Sequence, residues 1–400
     1  MQLMAEYPKI LLKAGRERSL YNRHPWVFSG ALQAMPTDVA EGEVVAVCDS
    51  KGELLGQAFF SSRSTISLRM LTFAQELEDI DTVAWWQNRF TEAVTLRREL
   101  FDVNQTNAYR LIHAEGDQLP GLIIDVYNTV VVLQILIVGI ERKLDLITQG
   151  LHNIGYTNQF IKAKTSAHVL EDTRPESANL SGNTDEDTVQ IIENGLKFNI
   201  NYKSGQKTGF FIDQRDNRAL LEQYSKGKTV LNTFSYSGGF SLYALRGGAT
   251  RVVSVDIMAD AIRQCNENVT INYPDIGNHT SVTADCFEYL KEMPDNEFDI
   301  IVLDPPAFAK SQKAVKNATR GYKQINLQAF RKIATNGIIF TYSCSQNIST
   351  ELFRKIVFGA AADARRHVRI IHQLHQPPDH PISIYHPEGE YLKGLVLQIL

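Results

Sequence analysis

The chain has 400 residues, too many for one hydrophobic core, so two or three domains are expected. With 44% apolar and 22% charged residues it is neither disordered nor fibrous, and a net charge of −4 excludes a protein basic all over while allowing a local basic surface. Cys48, Cys265, Cys286 and Cys344 lie far apart without a Cys-x-x-Cys pair, so neither a metal site nor a disulfide framework is expected, which fits the cytoplasm.

The first residues, Met1 to Glu6, lack the basic-then-apolar order of a signal peptide. Residues 1–73 alternate short apolar runs such as Val44-Val45-Ala46-Val47 with turns at Gly42, Gly52 and Gly56, which predicts a small β-barrel. Its first thirty residues carry five basic side chains, Arg16 and Arg23 among them, against two acidic ones. They are candidates for a nucleic-acid contact, with His24 and Trp26 beside them; Trp26 is equally well explained as barrel core.

Residues 74–190 predict a small α+β unit. A helix is expected over 82–100, strands over 122–127 and 129–138, a helix over about 140–153 and a strand near 158–163. The apolar stretch from Val130 to Ile140 is too short to span a bilayer. No membrane role is expected. Residues 171–190 are polar and acidic, and are expected to be a solvated connection or hairpin.

Residues 191–400 read as strand, helix, strand in repetition, which predicts a mostly parallel sheet. Strands are expected at 228–232, 251–255, 280–283, 298–303, 336–342, 368–373 and 393–399. Four successive strands end in Asn232, Asp256, Asp285 and Asp304, where open α/β sheets place their ligands. After Asn232 comes the small-residue turn Phe234-Ser235-Tyr236-Ser237-Gly238-Gly239. Asp256 stands where a carboxylate accepts ribose hydroxyls. Pro305 and Pro306 stop their strand at once, because proline cannot continue the ladder. One polar strand end is an ordinary turn former; four in order are not.

These residues resemble a class I S-adenosylmethionine-dependent methyltransferase. Tyr236 stands where many members carry the first glycine. The Asp304-Pro305-Pro306 motif, the run Ser204 to Arg218, Tyr21 to Gly30, Ala114 to Leu122 and His386 to Lys393 together resemble the large-subunit (23S) rRNA cytosine-C5 methyltransferase family, over essentially the whole chain. The resemblance implies a Rossmann-like α/β methyltransferase sheet after a PUA-like barrel and a central α+β domain. It implies S-adenosylmethionine as cofactor, held by Phe210, Asp213 and Gln214 as a lid and by Asn232, Phe234, Ser235, Ser237 and Gly238. Asp256 and Ile257, then Asp285, Cys286 and Phe287, then Asp304 and Pro305, would complete the pocket.

Free cysteines are usually inert, and three are read so. Cys344 differs: it ends the strand next to Asp304, where the family keeps its nucleophile. A thiolate there would add to cytosine C6, with Asp304 at N3. Pro305-Pro306-Ala307 offers no second thiol for product release. Lys310, Lys313, Lys316, Arg320 and Lys323 begin a one-signed run over 305–335 suited to rRNA phosphates, with Phe308 and Tyr322 as candidate stacking rings. The resemblance implies 23S rRNA or a large-subunit precursor as the partner, and a homodimer is admitted. Guanine N2 or N7 methylation with a structural Cys344 is the nearest rival, and a non-catalytic RNA-binding assembly factor is the other.

Overall fold

The computed structural model describes residues 7–74, 78–163, 176–183, 185–309 and 311–400. The chain divides into two compact units. The first comprises Met1–Ile192, Asn201–Phe210 and Pro378–Gly389; the second comprises Glu193–Ile200, Phe211–Pro377 and Glu390–Leu400.

The first unit holds two sheets. In one, β1 (Lys9–Leu11), β2 (Trp26–Phe28), β3 (Val44–Cys48), β4 (Leu54–Phe60) and β5 (Ile66–Phe73) lie in the order β1-β3-β4-β5-β2, with α1 (Arg18–Tyr21) between the first two strands in sequence. Alternation sends Val45, Val47, Phe60, Leu68 and Met70 to a shared core. The helix expected over 82–100 is α2 (Val83–Leu100), capped by the Thr82 hydroxyl on the Trp85 N–H. Beside it lie β6 (Ala108–His113), β7 (Leu122–Tyr127), β8 (Val130–Ile135), β9 (Asn158–Ile161) and β10 (Ala178–Ser181), as one five-stranded sheet. The helix expected over 140–153 is broken at Arg142–Lys143 into α3 (Val138–Glu141) and α4 (Leu144–Asn153).

The polar stretch expected to be a solvated connection or hairpin supplies β10, which pairs antiparallel with β9 at the sheet edge. An edge strand needs one apolar face at most, so polar composition does not prevent it. Glu171, Asp172 and Arg174 lie outside the described residues. The chain then forms the hairpin of β11 (Thr188–Glu193) and β12 (Leu196–Asn201).

The second unit is a seven-stranded sheet ordered β15-β14-β13-β16-β17-β19-β18. Its strands are β13 (Thr229–Thr233), β14 (Arg251–Asp256), β15 (His279–Thr283), β16 (Ile300–Leu303), β17 (Ile338–Ser343), β18 (Val368–His375) and β19 (Lys393–Ile399). The first five in that order run parallel, and β19 is antiparallel to both neighbours. The helices are α5 (Arg215–Tyr224), α6 (Gly239–Arg246), α7 (Ala259–Asn272), α8 (Cys286–Glu292), α9 (Val315–Lys332) and α10 (Thr350–Ala364). Continuous apolar runs such as Ile300-Ile301-Val302-Leu303 are fully buried, as a sheet covered on both faces requires. Strand order reverses between β13 and β16, which opens a crevice at their carboxyl ends. Asn232, Asp304 and the turn after β13 stand there.

Candidate active site

The turn after β13 is built from left-handed backbone. Phe234 has φ 55°, Tyr236 φ 45° and Gly238 φ 84°. A Cβ on Gly238 would stand 2.6 Å from the Cys265 sulfur, so glycine is required there. Tyr236 takes a left-handed conformation that costs a non-glycine residue about 1–2 kcal/mol. Two contacts offset it: the Tyr236 N–H donates to Asp256 Oδ2 at 3.0 Å, and its ring meets Phe211 edge-on at 5.2 Å.

Asn232 is buried, and its Nδ2 donates to Ser241 Oγ at 2.9 Å. That hydroxyl continues to Ser254 (2.6 Å) and on to His279 (2.9 Å). Asn232 Oδ1 and Ser235 Oγ are buried without a protein partner. Buried polar atoms are rarely left so, and an acceptor and a hydroxyl at one turn fit the ammonium and carboxylate of an amino-acid ligand. The structure thus accommodates the methionine end of S-adenosylmethionine. Ser237 is buried as well, its carbonyl taken by Asn268.

At the end of β14 Asp256 is clamped, with Oδ1 accepting the Met258 N–H and Oδ2 that of Tyr236. Each oxygen keeps a second lone pair that a ribose hydroxyl can use. Ile257 beside it is 65% exposed. Asp285 caps α8, its Oδ1 accepting from Phe287 and Glu288. Cys286 is buried, takes the Phe234 N–H, and burial pushes its thiol up to about 12. Phe287 lies between Phe234 and Phe308, with centroids 6.3 and 6.0 Å away. These rings make an apolar wall suited to adenine.

The expected lid residues separate. Phe210 belongs to the first unit, where its main chain is bound to the Tyr127 hydroxyl. Asp213 is buried in the second unit and accepts the Tyr391 hydroxyl at 2.7 Å. Gln214 donates its Nε2 to Asp304 Oδ1 at 2.9 Å, and Asn217 donates to Gln214 Oε1 at 2.6 Å. Arg218 is fully buried, paired bidentate with Glu193, and donates to the Phe211 carbonyl at 2.9 Å. Arg218 therefore holds the main chain at Phe211 in place.

Cys344 is the one cysteine that is not buried. It follows β17, and its Sγ lies 3.9 Å from the Pro305 carbonyl oxygen, next to Asp304. Tyr322 lies fully buried behind it and shares a 2.8 Å hydrogen bond with Ser345 Oγ. This corrects the expectation that Tyr322 could stack on a base. Ala318, Ile325 and Ala329 share its burial at helical spacing, so the periodicity of α9 was the signal. Phe308 is half-buried and packs on Tyr322 at 4.6 Å.

Of the basic run, Lys310 lies outside the described residues. Lys313, Lys316 and Arg320 are exposed along one face. Lys323 is paired with Asp363 of α10 at 2.7 Å, and Lys332 with Asp295 at 2.9 Å. The run has one sign in sequence, but the fold brings carboxylates to it.

In the first unit Arg16 is exposed and lines a surface cavity with Gly15, Arg18, His24 and Trp26. Arg23 lies over the Phe73 ring at 5.5 Å. Trp26 is only half-buried: its Nε1 donates to Glu115 at 2.7 Å and its ring meets His386 at 4.3 Å. Among the described residues, no helix is long and apolar enough to cross a membrane, and no cluster of His, Cys, Asp or Glu could hold a metal.

A doubly wound sheet with a reversal crevice and polar strand ends defines a nucleotide-binding α/β protein. The S-adenosylmethionine-dependent methyltransferase family matches residues 109–392, and a PUA-like domain matches residues 10–73. The chain belongs to that methyltransferase family. It is 41% identical over 393 residues to a protein of Aeromonas salmonicida named ribosomal RNA large subunit methyltransferase I, covering 97% of this chain and 98% of the other. A protein of the same name from Tolumonas auensis is 40% identical over 395 residues, covering 98% and 99%. A solved structure of a candidate S-adenosylmethionine-dependent methyltransferase from Streptococcus mutans has the same fold, with TM-score 0.83 at 24% identity over 98% of this chain and 100% of that one.

Proposed function

We propose that this enzyme methylates C5 of a cytosine in large-subunit (23S) ribosomal RNA, in the cytoplasm, with Cys344 as the nucleophile. The observation that carries this reading is the position of Cys344. It is the only cysteine with exposure, and it stands beside the Pro305 carbonyl at the strand end next to Asp304. The names of the relatives supply the substrate class.

Cytosine C5 is a weak nucleophile. A thiolate of Cys344 adding to C6 would push the C5–C6 electron pair towards C5. Bound S-adenosylmethionine supplies a sulfonium methyl to that carbon. Asp304, held by Gln214 and carrying a proton, would donate it to N3 of the base and so favour the addition. Transfer of the C5 proton to a water or another base returns its electron pair to the ring and expels the Cys344 sulfur as thiolate. Asn232, Ser235 and Asp256 would hold the methionine and ribose parts, and the Phe234, Phe287 and Phe308 wall the adenine. Exposed Lys313, Lys316 and Arg320 would carry the phosphate backbone, and the barrel a second stretch through Arg16 and Arg23.

Cys344→Ala decides the matter. Methyl transfer to rRNA should vanish while S-adenosylmethionine binding persists, and the parent enzyme should trap on 5-fluorocytidine RNA through Cys344. A variant that still methylates rRNA at guanine N2 or N7 would replace this reading. Absence of cofactor binding in the parent would favour an assembly factor.

A further inference from the structure

Lys393 has no role in the mechanism above, yet it is one of the few buried lysines. It opens β19 opposite Ser343, is 4% exposed, and reaches into the loop that follows β17. There its Nζ donates to the Ser345 carbonyl at 2.8 Å and to the Ile348 carbonyl. Among the described residues it makes no ion pair. An ammonium is seldom buried without a carboxylate. Its ligands are two main-chain oxygens, one of them in the residue after Cys344.

We infer that Lys393 is the positioning residue for Cys344: its ammonium ties down the loop that carries the thiol and favours the thiolate by its charge. This rests on the reading of Cys344 as nucleophile. A thiol becomes reactive where a cation stands near it and the surroundings are partly dry. Cys344 acts electrostatically on Tyr322 from α9 and on Lys393 from β19, Glu390 acts on Lys393 as well, and the Cys344 thiol meets the carbonyl of Pro305, the residue after Asp304. Tyr322 is pushed up to about 12 by burial, so its phenol stays neutral. Lys393 is the cation of the set.

The electrostatics agree with the geometry. Burial lowers Lys393 to about 8, while the Cys344 and Glu390 charges act against that fall. The coupling is mutual, so the ammonium that the thiolate stabilises also stabilises the thiolate. On ionisation the Cys344 proton passes to solvent and no other bond changes.

The test is the pH profile of Cys344 alkylation by iodoacetamide in the full-length protein, read by mass spectrometry of the Cys344 peptide. Cys48, Cys265 and Cys286 are buried and serve as internal controls. Lys393→Met removes charge and donors. Lys393→Gln keeps a donor but no charge, so it separates a tether from a charge. We expect the alkylation midpoint to rise by about one pH unit in both, slowing the reaction near pH 7 about tenfold, with methyl transfer falling in step and recovering at higher pH. S-adenosylmethionine affinity reports that each variant is folded. An unchanged midpoint in folded variants overturns the inference, as does recovery of the profile by Lys393→Gln. An active Cys344→Ala enzyme would instead overturn the nucleophile reading, and the alkylation profile would still report on the Lys393–Cys344 pair.

Discussion

Gln214 holds Asp304: the amide nitrogen of one donates to Oδ1 of the other at 2.9 Å. Asn217 makes the direction definite, because its own N–H occupies Gln214 Oε1 and leaves only the NH2 group to face the carboxyl group. A residue expected to touch cofactor thus orients the group expected to touch the base. Gln214→Ala should lower kcat on rRNA about tenfold, the worth of one hydrogen bond. Asn217→Ala should cost less, since the amide can still choose the productive orientation. In both, the S-adenosylmethionine Kd should move less than twofold. A large rise in that Kd with turnover retained would return Gln214 to the cofactor pocket.

Tyr236 sits in left-handed backbone with its N–H on Asp256. Glycine at 236 relieves the strain but frees the unfolded chain and loses the Phe211 contact. The two effects oppose each other. Tyr236→Gly should therefore keep its thermal stability within about 1 kcal/mol of the parent. Tyr236→Val, β-branched at positive φ, should lose about 2 kcal/mol or more. Thermal unfolding of the three proteins checks this. Equal melting temperatures for Val and Gly would mean the turn has another path.

The polar strand ends and the sheet were legible because each is local: an apolar run, then a polar residue, then a turn. The groups that make the site work are not local. Lys393 and Ser345 are 48 residues apart, Tyr391 and Asp213 are 178 apart, and Arg218 and Glu193 are 25 apart. Sequence marked the runs containing Lys393 and Arg218 as motifs, but their partners come from other segments, the loop after β17 and the end of β11. Conversely, Tyr322 and Lys323 looked available because part of their cover, Phe353 and Asp363 of α10, comes from elsewhere in the fold.

His279 gives a pH dependence. Burial pushes its imidazole down to about 4 from the usual 6.5, and Nε2 meets Ser254 Oγ. Above about pH 6.5 the ring is neutral in both the folded and the unfolded chain, so it adds no slope. Between about 6.5 and 4 the unfolded chain takes up a proton that the folded one refuses, so stability falls with pH, by about 3 kcal/mol when complete. His279→Gln should lose some stability at pH 7 through the Ser254 contact. Its further loss on going to pH 4.5 should be about 2 kcal/mol smaller than the parent's. Urea unfolding followed by circular dichroism at both pH values measures the difference. Parallel losses would show that His279 is protonated in the fold.

The basic face of α9 makes a prediction that separates its members. Lys316 and Arg320 are exposed, whereas Lys323 is already paired with Asp363. If Lys316 and Arg320 each neutralise one rRNA phosphate, alanine at either should reduce the slope of log K against log salt by about 0.7–0.9. Lys323→Ala should change it less, because its ammonium must first leave a carboxylate. Asp363→Asn should then do the reverse, tightening RNA binding and steepening the slope by making Lys323 available. The surface pair itself contributes at most about 1 kcal/mol to folding, so this variant should remain folded. Filter binding of an rRNA fragment between low and moderate salt checks all four variants. Identical slopes throughout would place the RNA on another face.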